Sequence, residues 1–128
     1  MTESTVVTEI DPRGVATVTL NRPEKHNAFD DTIIAELRES FDTLAGREDV
    51  RIVILASTGK SFSAGADLGW MKRMAEYDFD HNLRDAQLLA GMLQALHQLP
   101  QPTIARVQGA AFGGAVGLVS CCDIAVGS

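Results

Sequence analysis

The chain has 128 residues, 45% hydrophobic and 22% charged, with a net charge of −6. That length suffices for one domain with a modest core. The negative charge opposes non-specific binding to nucleic acid or to an anionic membrane surface, and no apolar run approaches the roughly 18 residues that span a bilayer.

"STVVTEI" and "GVATVTL" are β-rich runs around "DPRG", which carries Pro and Gly at turn positions. They predict a hairpin. "NRPEKHNAF" reads as a loop. Asp30 then caps a helix with an apolar face of Ile33, Ile34, Leu37, Phe41 and Leu44, ending near Gly46. "RIVILA" is a continuous apolar strand of the kind buried on both faces. After the turn-rich "STGKSFSAGAD", a helix runs from about Asp67 through "LGWMKRMAEY". A longer one follows from about Asp80 to Leu99, with Leu89, Met92, Leu93, Leu96 and Leu99 on one stripe, stopped by "PQP". "TIARV" is the next strand, "QGAAFGGAVG" a loop, "LVSCC" a helix and "DIAV" a last strand. The adjacent Cys121 and Cys122 match neither a disulfide framework nor a spaced metal motif and are expected as buried helical thiols. "MTESTVVTEI" lacks the basic and apolar regions of a signal peptide; a cytoplasmic location is expected, and an organelle matrix fits too. A strand at the end with nothing after it is expected of a truncated chain.

One pattern occurs twice: an apolar strand leads into a loop of Gly and Ala that opens a helix. Loops without bulk let a ligand approach the backbone, and the first N–H groups of a helix lack partners. Two such loops could aim two peptide N–H groups at one carbonyl oxygen, an oxyanion hole in which each donor is worth roughly 10² to 10³ in rate. Close helix–strand packing explains the small residues equally well. Other motifs fail. "STGKS" ends like a phosphate-binding loop, but its first glycine would have to stand at Ile54. "FSAGA" has Ser61 where a nucleophile elbow needs glycine. His26, His81 and His97 have no spacing suited to a metal or a triad. Asp67 reads as a helix cap, with an acid/base role as the alternative. Trp70, Met71 and Met74 read as wall or core.

"NRPEKHNAF", "SFSAGADL" and "VQGAAFGGAVGLVSCCDIAV" resemble three successive motifs of the enoyl-CoA hydratase/isomerase (crotonase) superfamily, over nearly the whole chain and in the family's order. "ADLGWMKRMA" followed by "RVQGAAFGG" most resembles bacterial methylglutaconyl-CoA hydratases of leucine degradation; a relative acting on a carboxylated geranoyl-CoA is the alternative. The resemblance implies an α/β crotonase spiral of repeated ββα units. Residues 1–128 would be its N-terminal part, without the C-terminal helices that build trimers and hexamers. It implies that Ala66 and Gly114 supply the two backbone donors. Lys25, His26 and Ala28 would line the CoA nucleotide, and Ala64, Asp67 and Leu68 the bound CoA and acyl chain.

The substrate implied is an acyl-CoA thioester, with CoA part of the substrate and no separate cofactor, metal, nucleic acid or membrane partner. Hydratases of the family carry one glutamate three residues after the donor glycine. Here that position is Gly117, and the second family glutamate would lie beyond Ser128. On this reading the fragment alone is inactive. An isomerase using a single base, or a non-catalytic subunit, stays open. Lys72 and Arg73 are candidate partners for a carboxylated acyl tail. The family's RNA-binding lysine-rich helix corresponds to an acidic helix here, so RNA binding is not expected.

Overall fold

The computed structural model describes residues 5–76 and 78–127. Ser4, Tyr77 and Ser128, assigned by the sequence to the first strand, a helix end and the chain end, lie outside them.

The hairpin forms as predicted. Strands β1 (Val6–Ile10) and β2 (Val15–Leu20) pair antiparallel. Asp11 Oδ1 accepts the N–H groups of Arg13 (2.8 Å) and Val15 (3.1 Å). Gly14 closes the turn at φ +83, a conformation that costs glycine nothing. Within the next loop, Pro23–Lys25 make a single 3-10 turn. Helix α1 (Asp31–Ala45) starts at the expected cap, where Asp30 accepts from the Ile33 N–H at 3.0 Å. Its buried residues are the predicted five, Ile33, Ile34, Leu37, Phe41 and Leu44.

Strands β3 (Ile52–Ser57), β4 (Thr103–Val107) and β5 (Ile124–Gly127) each lie parallel to and beside their predecessor. The strand order is therefore sequential, β1-β2-β3-β4-β5. Helix α1 connects β2 to β3. Helices α2 (Leu68–Glu76) and α3 (Phe79–His97) connect β3 to β4, and α4 (Gly114–Cys121) connects β4 to β5. A chain that returns each time to the neighbouring position winds as a coil. Ala16, Val18 and Leu20 of β2 and Val53 and Leu55 of β3 are buried, in one cluster with α1, α3 and α4. Ile52 and Ile54 are only half-buried, so β3 is not covered on both faces as its composition suggested. Its apolar character reflects β propensity as well as burial.

Strands β2, β3 and β4 are each followed, before the next helix, by a second short extended stretch. Single parallel bridges, Phe29 to Ala66 and Ser63 to Ala111, link these stretches in successive turns. Strand, short extended stretch and helix recur three times, which is the ββα unit of the expected spiral.

Two further expectations need correction. Helix α4 begins at Gly114, not near Leu118. Glycine is a poor helix former, but burial of Ala115 and Leu118 in the core outweighs propensity. Cys121 ends that helix and Cys122 caps it, and both are half-buried rather than buried.

Candidate active site

The site is built where the three short extended stretches stack. His26 and Asn27 take left-handed backbone angles, φ 50 and 54, uncommon for residues with a Cβ. Asn27 is almost fully buried and is held by its side chain. Its Nδ2 donates to the carbonyls of Thr58 (2.6 Å) and Ser61 (3.1 Å), and its Oδ1 accepts from the Arg22 N–H at 2.7 Å. This clamps the "NRPEKHNAF" segment onto the loop after β3.

Across that clamp lies the first small-residue loop. The Ala64 N–H donates to the His26 carbonyl (2.9 Å), and the Asp67 N–H to the Phe29 carbonyl (2.8 Å). The Gly65 N–H donates to Ser63 Oγ at 3.1 Å. The Gly65 carbonyl accepts from the Phe29 N–H at 2.9 Å. A trans peptide sets its N–H opposite its C=O, so the Ala66 N–H points away from Phe29. Among the described residues it has no hydrogen-bond acceptor.

Gly114 opens α4, and its N–H likewise has no acceptor among the described residues. That is the condition of a first-turn amide, and the helix dipole favours negative charge there. The loops that carry the two groups are in contact. A Cβ built on Gly65, which sits at φ +88, would lie 2.7 Å from the Phe112 carbonyl oxygen and 3.5 Å from the Gly114 nitrogen. A Cβ on Gly114 would lie 2.6 Å from the buried Phe29 ring. Close packing and free backbone donors are thus both present; the small residues satisfy the two together.

A cleft of about 640 Å³ lies beside these loops. Its wall brings together Lys25, His26, Ala28, Ala64, Ala66, Asp67 and Leu68, seven of the eight residues singled out from the sequence. Gly114, the eighth, lies behind Gly65 rather than in that wall. Leu68 and Met71 form an exposed apolar lip. Trp70 is buried and Met74 packs partly buried on the core.

Asp67 caps α2, accepting from the Trp70 N–H at 3.0 Å. That bond holds its carboxyl below the usual carboxylate range, with Arg22 adding to the effect against the cost of burial. Arg22 Nη1 lies 3.1 Å from Asp67 Oδ2 and donates to the Ala28 carbonyl at 3.1 Å. An ionised, paired Asp67 is a poor proton donor at neutral pH, which favours the cap over the acid/base role. Arg73 pairs with Asp31 at 3.4 Å, and neither it nor Lys72 belongs to the cleft wall. At Gly117 a Cβ would reach Leu93 at 3.5 Å, and no carboxylate stands there. Among the described residues no group of three or more His, Cys, Asp or Glu could hold a metal ion, and no helix is long and apolar enough to cross a membrane. Sequence reasoning missed Arg22, Asn27 and Ser63. The tolerance of Asn for left-handed backbone is the signal that could have found Asn27.

Fold and site together define a class, a ββα coil whose successive turns present paired backbone donors beside one cleft. The chain belongs to the enoyl-CoA hydratase/isomerase family, whose model matches residues 11–128. An enoyl-CoA hydratase structure from Shewanella pealeana is similar at a TM-score of 0.94 and 45% identity, over 97% of this chain and 46% of that one. The trans-2-decenoyl-[acyl-carrier-protein] isomerase of Streptococcus mutans is 36% identical over 116 residues, 90% of this chain and 44% of that protein. The mitochondrial Delta(3,5)-Delta(2,4)-dienoyl-CoA isomerase of Mus musculus is 36% identical over 115 residues, 84% of this chain and 35% of that protein. Hydratases and isomerases both stand among the relatives, and the chain spans less than half the length of these three.

Proposed function

We propose that this chain carries the thioester-polarising part of a hydratase acting on 2-enoyl-CoA substrates. The observation that carries the reading is the pair of backbone N–H groups, Ala66 and Gly114, in adjacent loops and without acceptors among the described residues. A thioester carbonyl oxygen bound between them gains negative charge as C3 becomes electrophilic. Donors fixed in advance stabilise that charge more than they stabilise the ground state. Water then adds at C3 and a proton is delivered at C2. Lys25, His26 and Ala28 would hold the CoA nucleotide, and Ala64, Asp67 and Leu68 the chain that leads to the carbonyl. CoA enters as part of the substrate, with no separate cofactor. A cytoplasmic homotrimer or homohexamer in a full-length form completes the reading.

The acyl group we favour is methylglutaconyl, in leucine catabolism, on the strength of "ADLGWMKRMA". Its carboxylate needs a cation, and Arg73 is engaged by Asp31 outside the cleft. The second reading, an isomerase, is favoured by one residue. Gly117 leaves the first family glutamate position without a proton carrier, and double-bond migration can run on a single base.

Titration with a conjugated dienoyl-CoA tests the shared step. Binding between the two donors should shift the thioester absorption to longer wavelength, and free CoA should compete. A chain that binds neither CoA nor its esters ends the proposal. Comparing methylglutaconyl-CoA with crotonyl-CoA in the same competition tests the acyl preference.

A further inference from the structure

We infer that the Ser63 hydroxyl is a positioning residue that aims the Ala66 N–H at the thioester oxygen; the inference rests on the reading above. Ser63 is fully buried and is not itself a residue of the cleft wall, although its neighbour Ala64 is. Its Oγ donates to the Asn27 carbonyl at 2.8 Å and accepts from the Gly65 N–H at 3.1 Å. A single hydroxyl can do both at once.

The consequence follows along the backbone. The Ala66 N–H belongs to the Gly65–Ala66 peptide plane, and the angles of Gly65 set that plane. Gly65 is the one residue of the loop free to turn, since it lacks a Cβ and sits at φ +88. Two bonds stop it: its carbonyl accepts from Phe29, and its N–H donates to Ser63. Ser63 is itself fixed through the carbonyl of Asn27, the residue whose amide is tied to Thr58, Ser61 and Arg22. The anchor of the donor therefore runs back to the end of β3. Removing the hydroxyl leaves a buried donor and a buried acceptor unpaired. The bonds of Ala64 to His26, of Asp67 to Phe29 and of Phe29 to the Gly65 carbonyl still hold the loop in place, so Gly65 keeps one of its two restraints. What is lost is the second restraint, on the N–H side of Gly65, and with it the tight setting of the peptide plane that follows.

A structural role alone would lower stability without changing how a bound carbonyl is polarised. Isotope-edited infrared spectroscopy of a ¹³C-labelled enoyl-CoA thioester on the purified chain separates the two. The parent should lower the carbonyl stretch relative to free ligand. In Ser63→Ala the lowering should be clearly smaller, as expected when one of two donors is less well aimed, while the dissociation constant for CoA itself stays within about twofold. Ser63→Cys, a weaker donor and acceptor of similar size, should give an intermediate shift and serves alone if Ser63→Ala does not fold. An undiminished carbonyl shift in either folded variant overturns the role of Ser63 and leaves the functional reading intact. No carbonyl shift in the parent sinks the functional reading itself.

Discussion

Gly114 shows how tightly one residue is constrained from two sides. Its N–H is a proposed donor, and its missing Cβ makes room for Phe29, whose ring is 1% exposed. Gly114→Ala keeps the N–H but forces a contact of 2.6 Å on a ring that has nowhere to go. Overpacking of this kind costs about 1–3 kcal/mol. We expect a lower melting temperature for Gly114→Ala, partly recovered when Phe29→Leu is added; an unchanged melting temperature would contradict the packing. Asp67 makes a pH prediction. Its folded pKa is depressed, chiefly by the Trp70 N–H and also by Arg22, so its contribution to stability is complete above the ordinary value of 3.8 and is lost as pH falls through the lower folded value. Asp67→Asn should therefore destabilise the chain at pH 7 and narrow the gap to the parent in acid denaturation below pH 3.8. A constant gap across that range would count against it. At this scale the small residues were legible, because glycine and alanine in a row after a strand are conspicuous. Ser63 and Asn27 were not, because their partners are backbone groups brought close only by the coil.

Among the elements, α1 was the most legible. An Asp cap and five apolar residues at helical spacing left little choice. Helix α4 was the least legible, since its start is decided by contact with Phe29 and the core rather than by local preference. Its C-terminal end carries a testable consequence. Burial pushes the Cys122 thiol up to about 11, and its Sγ lies 3.5 Å from the Leu118 carbonyl as a donor. The thiolate is the reactive form. Cys122 should therefore resist alkylation at pH 8 in the folded chain and react rapidly in denaturant; equal rates would show that it is not shielded. Helix α1 and its flanks carry a second consequence. Residues 30–49 hold seven acidic residues against two arginines, so filter binding at physiological salt should show no retention of AU-rich RNA. Retention that weakens steeply with added salt would overturn the charge argument.

For the whole molecule, the sequential strand order is what makes a site from separate motifs. Each turn of the coil places a short extended stretch beside that of the turn before, Phe29 by Ala66 and Ser63 by Ala111. The three motifs read from the sequence thus meet in space, although about 50 residues separate Ala66 from Gly114 in the chain. Strand–loop–helix recurrence was legible; the single register that sets Gly65 against Phe112 was not, because it depends on side chains from all three turns. The proposed hole requires that the amides of Ala66 and Gly114 face the thioester oxygen. Amide NMR of the labelled chain during titration with crotonyl-CoA reads it directly. The amide protons of Ala66 and Gly114 should move downfield together as they gain an acceptor, while those of Ala64 and Asp67, already bonded to His26 and Phe29, move little. Saturation by crotonyl-CoA with Ala66 and Gly114 unmoved would contradict it.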